Sequence, residues 1–138
     1  MIRIQGQWNL LAWRRVTGGV ESFPFGKDAT GMLVYTATGG MIVQMTAAGR
    51  ARLDTTDPVG GAIEDRAAAY SGYLAYFGRY EVKGEEVHHV IEGSSYPNWT
   101  GAVQARPFEL TDDRLVLRTP PAEVEGVTVV NEMSWIRG

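Results

Sequence analysis

Apolar and polar residues alternate along most of this chain, and the alternation breaks only at runs rich in glycine, proline and aspartate. A period of two marks strands that bury one face. Gln7 to Val16 reads as a long first strand, followed by a loop over Thr17 to Lys27 that carries paired glycines and Pro24. Gly31 to Thr36 and Met41 to Thr46 are β-branched and apolar, and they flank Ala37, Thr38, Gly39 and Gly40 as a hairpin. After a polar stretch from Ala47 to Gly61, Ile63, Ala67, Tyr70 and Leu74 recur at helical spacing. One short helix is predicted there, laid across a barrel mouth where its stripe would be covered. Leu74 to Val82 with Val87 to Gly93, and Ala102 to Leu110 with Leu115 to Thr119, form two further hairpins, and Val127 to Arg137 supplies the eighth strand. The expected fold is all-β and a single domain over residues 1–138. Eight antiparallel strands close into a barrel through the first and last, with the helix between strands 3 and 4. A barrel of that size is filled by side chains or holds one small ligand.

Hairpin register then decides which residues face inward. With Gly84 and Glu85 in the turn, Val82 faces Val87, Tyr80 faces His89, Gly78 faces Ile91 and Tyr76 faces Gly93. That set is nearly all apolar or aromatic, whereas Arg79, Glu81, His88, Val90 and Glu92 gather on the other face. With Asp112 and Asp113 in the next turn, Leu110 faces Leu115, Phe108 faces Leu117 and Arg106 faces Thr119, and Gln104 extends the same face. Arg106 therefore points into an apolar interior. An unpaired buried cation costs roughly several kcal/mol, so an anion, a set of acceptors or retained water is expected beside it; the other expectation is a salt bridge to Glu132. In the first hairpin either Tyr35 or Thr36 faces in. Trp8 and Trp135 lie in the strands that must meet, and Arg137 over an indole would close one end of the barrel.

Composition removes several classes of function. A net charge of −3 without a basic cluster lacks the electrostatic footprint of a protein that binds nucleic acid or anionic membrane. The absence of cysteine excludes disulfides and thiolate chemistry, and with no long apolar run it makes a cytoplasmic protein the expectation. His88 and His89 project to opposite faces of one strand and no further histidine exists, so no metal site is expected. No glycine-rich phosphate loop or serine-centred triad stands out, and no cofactor is expected.

Gly6-Gln7-Trp8 at the start, with Trp135 and Arg137 at the end, resembles the lipocalin pattern of an opening Gly-x-Trp and an arginine from the last strand. Longer stretches are more distinctive: Gly31 to Thr36, Gly72 to Val82, His89 with Glu92, Pro97-Asn98-Trp99, and Gln104, Arg106 and Phe108 to Leu110. On these the chain resembles the bacterial and fungal lipocalin-like domain family. The resemblance implies a calycin-type barrel, intracellular, often found in secondary metabolism. By analogy of fold it also brings in isomerases and cyclases of polyketide or terpenoid intermediates.

Two readings of the interior follow. The first is a binding barrel for a small, mostly apolar molecule with an anionic or carbonyl end, its ligand-binding residues being Arg106, Gln104, Tyr76, Ile91, Phe108, Leu117, Thr119, Tyr35 and Trp99. The second is an isomerase or cyclase in the same pocket, with His89 and Tyr80 as catalytic acid and base. The partner in either reading is a small hydrophobic ligand. A free sheet edge or flat apolar outer patch would also support a homodimer.

Overall fold

A computed structural model of the chain describes residues 3–138. Ten strands and one α-helix follow in the order β1 (Gly6–Thr17), β2 (Val20–Ser22), β3 (Thr30–Tyr35), β4 (Gly40–Thr46), α1 (Ile63–Ser71), β5 (Tyr73–Lys83), β6 (Glu86–Ser94), β7 (Val103–Thr111), β8 (Arg114–Arg118), β9 (Ala122–Val124) and β10 (Val127–Arg137). All pairings are antiparallel. Eight strands, β1-β3-β4-β5-β6-β7-β8-β10, form a ring that the β1–β10 pairing closes. The remaining two, β2 and β9, are three-residue ribbons on the free edges of β1 and β10.

The helix thus lies between the fourth and fifth strands, not between strands 3 and 4. The segment read as a loop from Thr17 to Lys27 contains β2, which pairs Val20, Glu21 and Ser22 with Thr17, Val16 and Arg15. Three residues are too few for an alternation to stand out. The helix also differs from expectation in burying no residue: Ile63 is 74% exposed, and Leu74, the last member of the stripe, belongs to β5. Glu64 and Asp65 in its first turn suit the helix dipole.

The two later hairpins carry the register that the charge pattern predicts, with Tyr80 opposite His89 and Phe108 opposite Leu117. A bulge at Glu92 shifts the far end, so Tyr76 pairs with Ser94 and Phe77 with Gly93. Gly78 sits at that shift because the strands approach closely there. A Cβ at Gly78 would overlap the Val90 carbonyl oxygen. In β1 a second bulge leaves Leu11 unpaired, between Leu10 opposite Trp135 and Ala12 opposite Ser134.

One end of the barrel is packed solid. Trp8, Leu33, Tyr35, Met41, Val87 and Leu115 are fully buried there, with Ile4 beneath them. Trp8 Nε1 donates to the Ile4 carbonyl at 2.8 Å, and the Arg137 guanidinium lies 4.1 Å from the Trp8 ring while donating to the carbonyls of Gln5 and Arg3. The wall's outer side carries an apolar row, Val34, Ile42 and Phe77, paired across β3, β4 and β5.

Candidate functional site

Above this packed end the barrel is hollow. An inner cavity of about 160 Å³ is lined mostly by apolar groups, among them Val43, Met45, Leu74, Leu117, Met133 and three of the four tryptophans, Trp13, Trp99 and Trp135. It opens into a vestibule of about 650 Å³ walled by Gln104, Pro120, Ala122, Val127 and Val129. Arg15, Trp99, Arg106, Thr119 and Asn131 line both spaces and so mark the passage between them. The vestibule exists because β1 and β10 run on past the ring, carrying β2 and β9 with them.

Arg106 is 5% exposed. Its Nη1 donates to Gln104 Oε1 at 3.2 Å and to the Ala105 carbonyl at 3.5 Å, and among the described residues no carboxylate forms an ion pair with it. The expected bridge to Glu132 is not made: Glu132 pairs with Arg118 at 3.1 Å and with Arg14 at 3.5 Å. One further donor is turned toward the Tyr76 hydroxyl oxygen, and the rest are left to the cavity.

His89 is 1% exposed and lies between two phenols, with Nε2 2.6 Å from the Tyr35 hydroxyl and Nδ1 2.7 Å from the Tyr76 hydroxyl. Burial, then the charge of Arg106, then His88, push its pKa down to about 3, so at neutral pH it is an uncharged imidazole. Burial raises Tyr35 well above the ordinary phenol value. Tyr76 is raised by burial too, against the opposing pull of Arg106. The expected pairing of His89 with Tyr80 is corrected: the two are cross-strand neighbours, but the Tyr80 hydroxyl donates to the Thr36 carbonyl at 2.8 Å. The next phenol along β5, Tyr76, reaches the imidazole instead.

Of the residues read from the sequence as ligand-binding, Arg106, Tyr76, Leu117, Thr119 and Trp99 line the inner cavity, as does His89, and Gln104 lines the vestibule. Three do not. Ile91 is buried in the core beside the Gly101–Ala102 turn, Phe108 packs against the core, and Tyr35 stands behind His89. In the first hairpin Tyr35 faces in and Thr36 out. Trp99, on a single turn of 3-10 helix at Pro97–Trp99, is held edge-on between Tyr76 at 5.8 Å and Tyr96 at 5.4 Å. His88 points outward toward Glu86.

Sequence reasoning missed Trp13, Arg15 and Asn131. Asn131 Oδ1 accepts from Trp13 Nε1 at 2.9 Å and from Arg15 Nε at 3.0 Å, which brings a second guanidinium to the passage. Counting by twos from Trp8 puts Ala12 and Arg14 inside; the unpaired Leu11 shifts the count and puts Trp13 and Arg15 there. Asn131 was within reach of the pattern, two positions before Met133 and four before Trp135. No described helix is long and apolar enough to cross a membrane.

A family model described as lipocalin-like domain matches residues 5–138. The 4'-hydroxy-3'-methoxypropiophenone carrier protein of Aspergillus oryzae is 32% identical over 104 residues, which are 69% of this chain and 94% of that protein. Crystal structures of the fluorescent protein UnaG, wild type and a mutant, align over 99% of this chain at 15% identity, covering 98% and 96% of those chains with TM-scores of 0.40 and 0.39.

Proposed function

We propose that this chain, which belongs to the lipocalin-like domain family, holds one small, mostly apolar molecule in its barrel, with a carbonyl, phenolate or carboxylate oxygen of that molecule turned to Arg106. The observation that carries this reading is a guanidinium 5% exposed, without a carboxylate partner among the described residues, on the wall of an apolar cavity. Leaving a buried charge without a counter-charge is costly, and a bound acceptor removes that cost. Size supports the reading as well. An apolar cavity of about 150 Å³ is known to accept benzene, so the inner cavity suits one aromatic ring while substituents extend into the vestibule. The Aspergillus relative is named as the carrier of an aryl ketone, a molecule with this division into ring and acceptor. A soluble, cytoplasmic carrier built as one domain fits the same reading.

An isomerase or cyclase in this pocket has less support. It needs His89 and Tyr80 to exchange a proton, yet Tyr80 is bonded elsewhere and His89 stays neutral with both ring nitrogens occupied.

The test is titration of 4'-hydroxy-3'-methoxypropiophenone and of propiophenone into the protein, followed by tryptophan fluorescence and calorimetry. Arg106→Leu is expected to weaken binding about 10- to 100-fold, the scale of a hydrogen bond to a charged group, with stability unchanged or raised. Affinity untouched by Arg106→Leu would remove Arg106 from the site. A loss of about 3 kcal/mol of stability would make Arg106 a structural ion instead.

A further inference from the structure

The polar groups around the inner cavity are biased toward donors, and their direction is set from outside it. The Tyr35 hydroxyl is fully buried and does not line the cavity, and its partner among the described residues is His89 Nε2. A buried O–H that donates to nothing is costly, so Tyr35 donates and Nε2 accepts. A neutral imidazole has one donor and one acceptor. Its proton therefore sits on Nδ1 and is donated to the Tyr76 oxygen. Tyr76, unlike Tyr35, lines the cavity, and its own O–H is left to point there. The charge of Arg106 beside it draws the phenol further toward donating.

A second observation stands apart from this chain. Trp135 is 1% exposed and lines the same cavity, and its indole Nε1 is the one buried side-chain polar atom without a hydrogen-bond partner among the described residues. The side-chain acceptor of Asn131, on the same strand, is already taken by Trp13 and Arg15.

We propose that Tyr76 O–H and Trp135 N–H are the cavity's neutral donors to a ligand carbonyl oxygen, and that Tyr35 is a positioning residue that fixes the direction of the Tyr76 proton through His89. The proposal rests on the binding reading and narrows it: the buried end of the ligand is an acceptor that donates nothing, as in an aryl ketone. Selectivity then falls against the same skeleton without its oxygen, because the donors are left unpaired.

The tautomer of His89 tests the relay without any ligand. In protein labelled with 15N at histidine, with His88→Gln to assign the two rings, His89 is expected as the Nδ1–H tautomer. The Nε2–H tautomer would overturn the proposal, since Tyr76 would then be donating to the ring. Binding adds the second arm, with propiophenone compared to propylbenzene. The wild type should favour the ketone at least tenfold, and the Trp135 indole proton should move downfield with the ketone but not with the hydrocarbon. Tyr35→Phe should populate both tautomers and cut the ketone preference severalfold with propylbenzene affinity unchanged; Trp135→Phe should cut it with the tautomer intact. A preference that neither substitution changes overturns the donor assignment. If neither compound binds, the binding reading fails, and the tautomer still decides the relay.

Discussion

Trp8 and Trp135 are the same side chain in the same barrel, both inward and fully buried, in the two strands that close the ring. Trp8 gives its N–H to the Ile4 carbonyl and lies under Arg137, whose own donors end on two backbone carbonyls. Trp135 gives its N–H to nothing described, and the arginine near its end of the barrel, Arg106, has an amide where an acid would neutralise it. One end of the interior is finished and the other is left open. The difference separates residues that hold the barrel together from residues whose unmet bonding capacity is available to a ligand.

The largest expected effect is on the finished end. Trp8→Ala should cost about 3–5 kcal/mol in denaturant unfolding, the usual scale for a buried aromatic, and leave the affinity of any correctly folded fraction for propiophenone as it was. An affinity loss as large as that from Arg106→Leu would dissolve the distinction between the two ends. Next comes acid. The pKa of His89 lies near 3 in the fold and near 6.5 in the unfolded chain, so over that window the unfolded state binds the extra proton and stability falls as pH falls. Tyr35 and Tyr76 meet the ring, and Arg106 and His88 act on it through charge alone. Carboxylates titrate in the same range, so the measurement is a difference: His89→Gln should flatten stability against pH between 4 and 6 by about 1.4 kcal/mol per pH unit. An unchanged slope would mean that the imidazole is not held neutral.

Arg137→Ala should lower stability by about 0.5–2 kcal/mol and leave ligand affinity alone, and equal melting temperatures would show that the cap carries no energy. The smallest effect belongs to the outer wall. Arg118 bridges Glu109 and Glu132 in partial contact with solvent, and Arg118→Ala should cost no more than about 1 kcal/mol. It is the control that an arginine matters here by which side of the strand it occupies.

How far the sequence reveals this division depends on how local each contact is. His89 inward and His88 outward follow from one hairpin with a clear turn and charges on one face. Arg106 inward follows in the same way. The contact of His89 with Tyr35 does not, because β3 and β6 are separated by β4 and β5 in the sheet and meet only across the closed interior. No strand register reports a distance across a barrel. Trp13 and Arg15 are hidden for a different reason: a single unpaired residue, Leu11, reverses the count in β1, and nothing in its chemistry marks it as a bulge. The helix shows the opposite failure. Its apolar spacing is present, but nine residues with three consecutive alanines offer little surface, and none of them is buried.

The closing seam joins Trp8 through Thr17 to Arg137 through Val129, the first strand to the last. Every other pair in the ring is a hairpin or a connection of modest length, so those strands can associate early, whereas the seam must wait for the largest loop to close. Until then β1 and β10 are bare edges and the cavity has no wall on that side. The binding space is therefore the last thing the chain makes. In pulse-labelling hydrogen exchange the β1 and β10 amides should be protected after those of the β5–β6 hairpin, and a ligand added during refolding should slow unfolding without speeding the collapse that precedes closure.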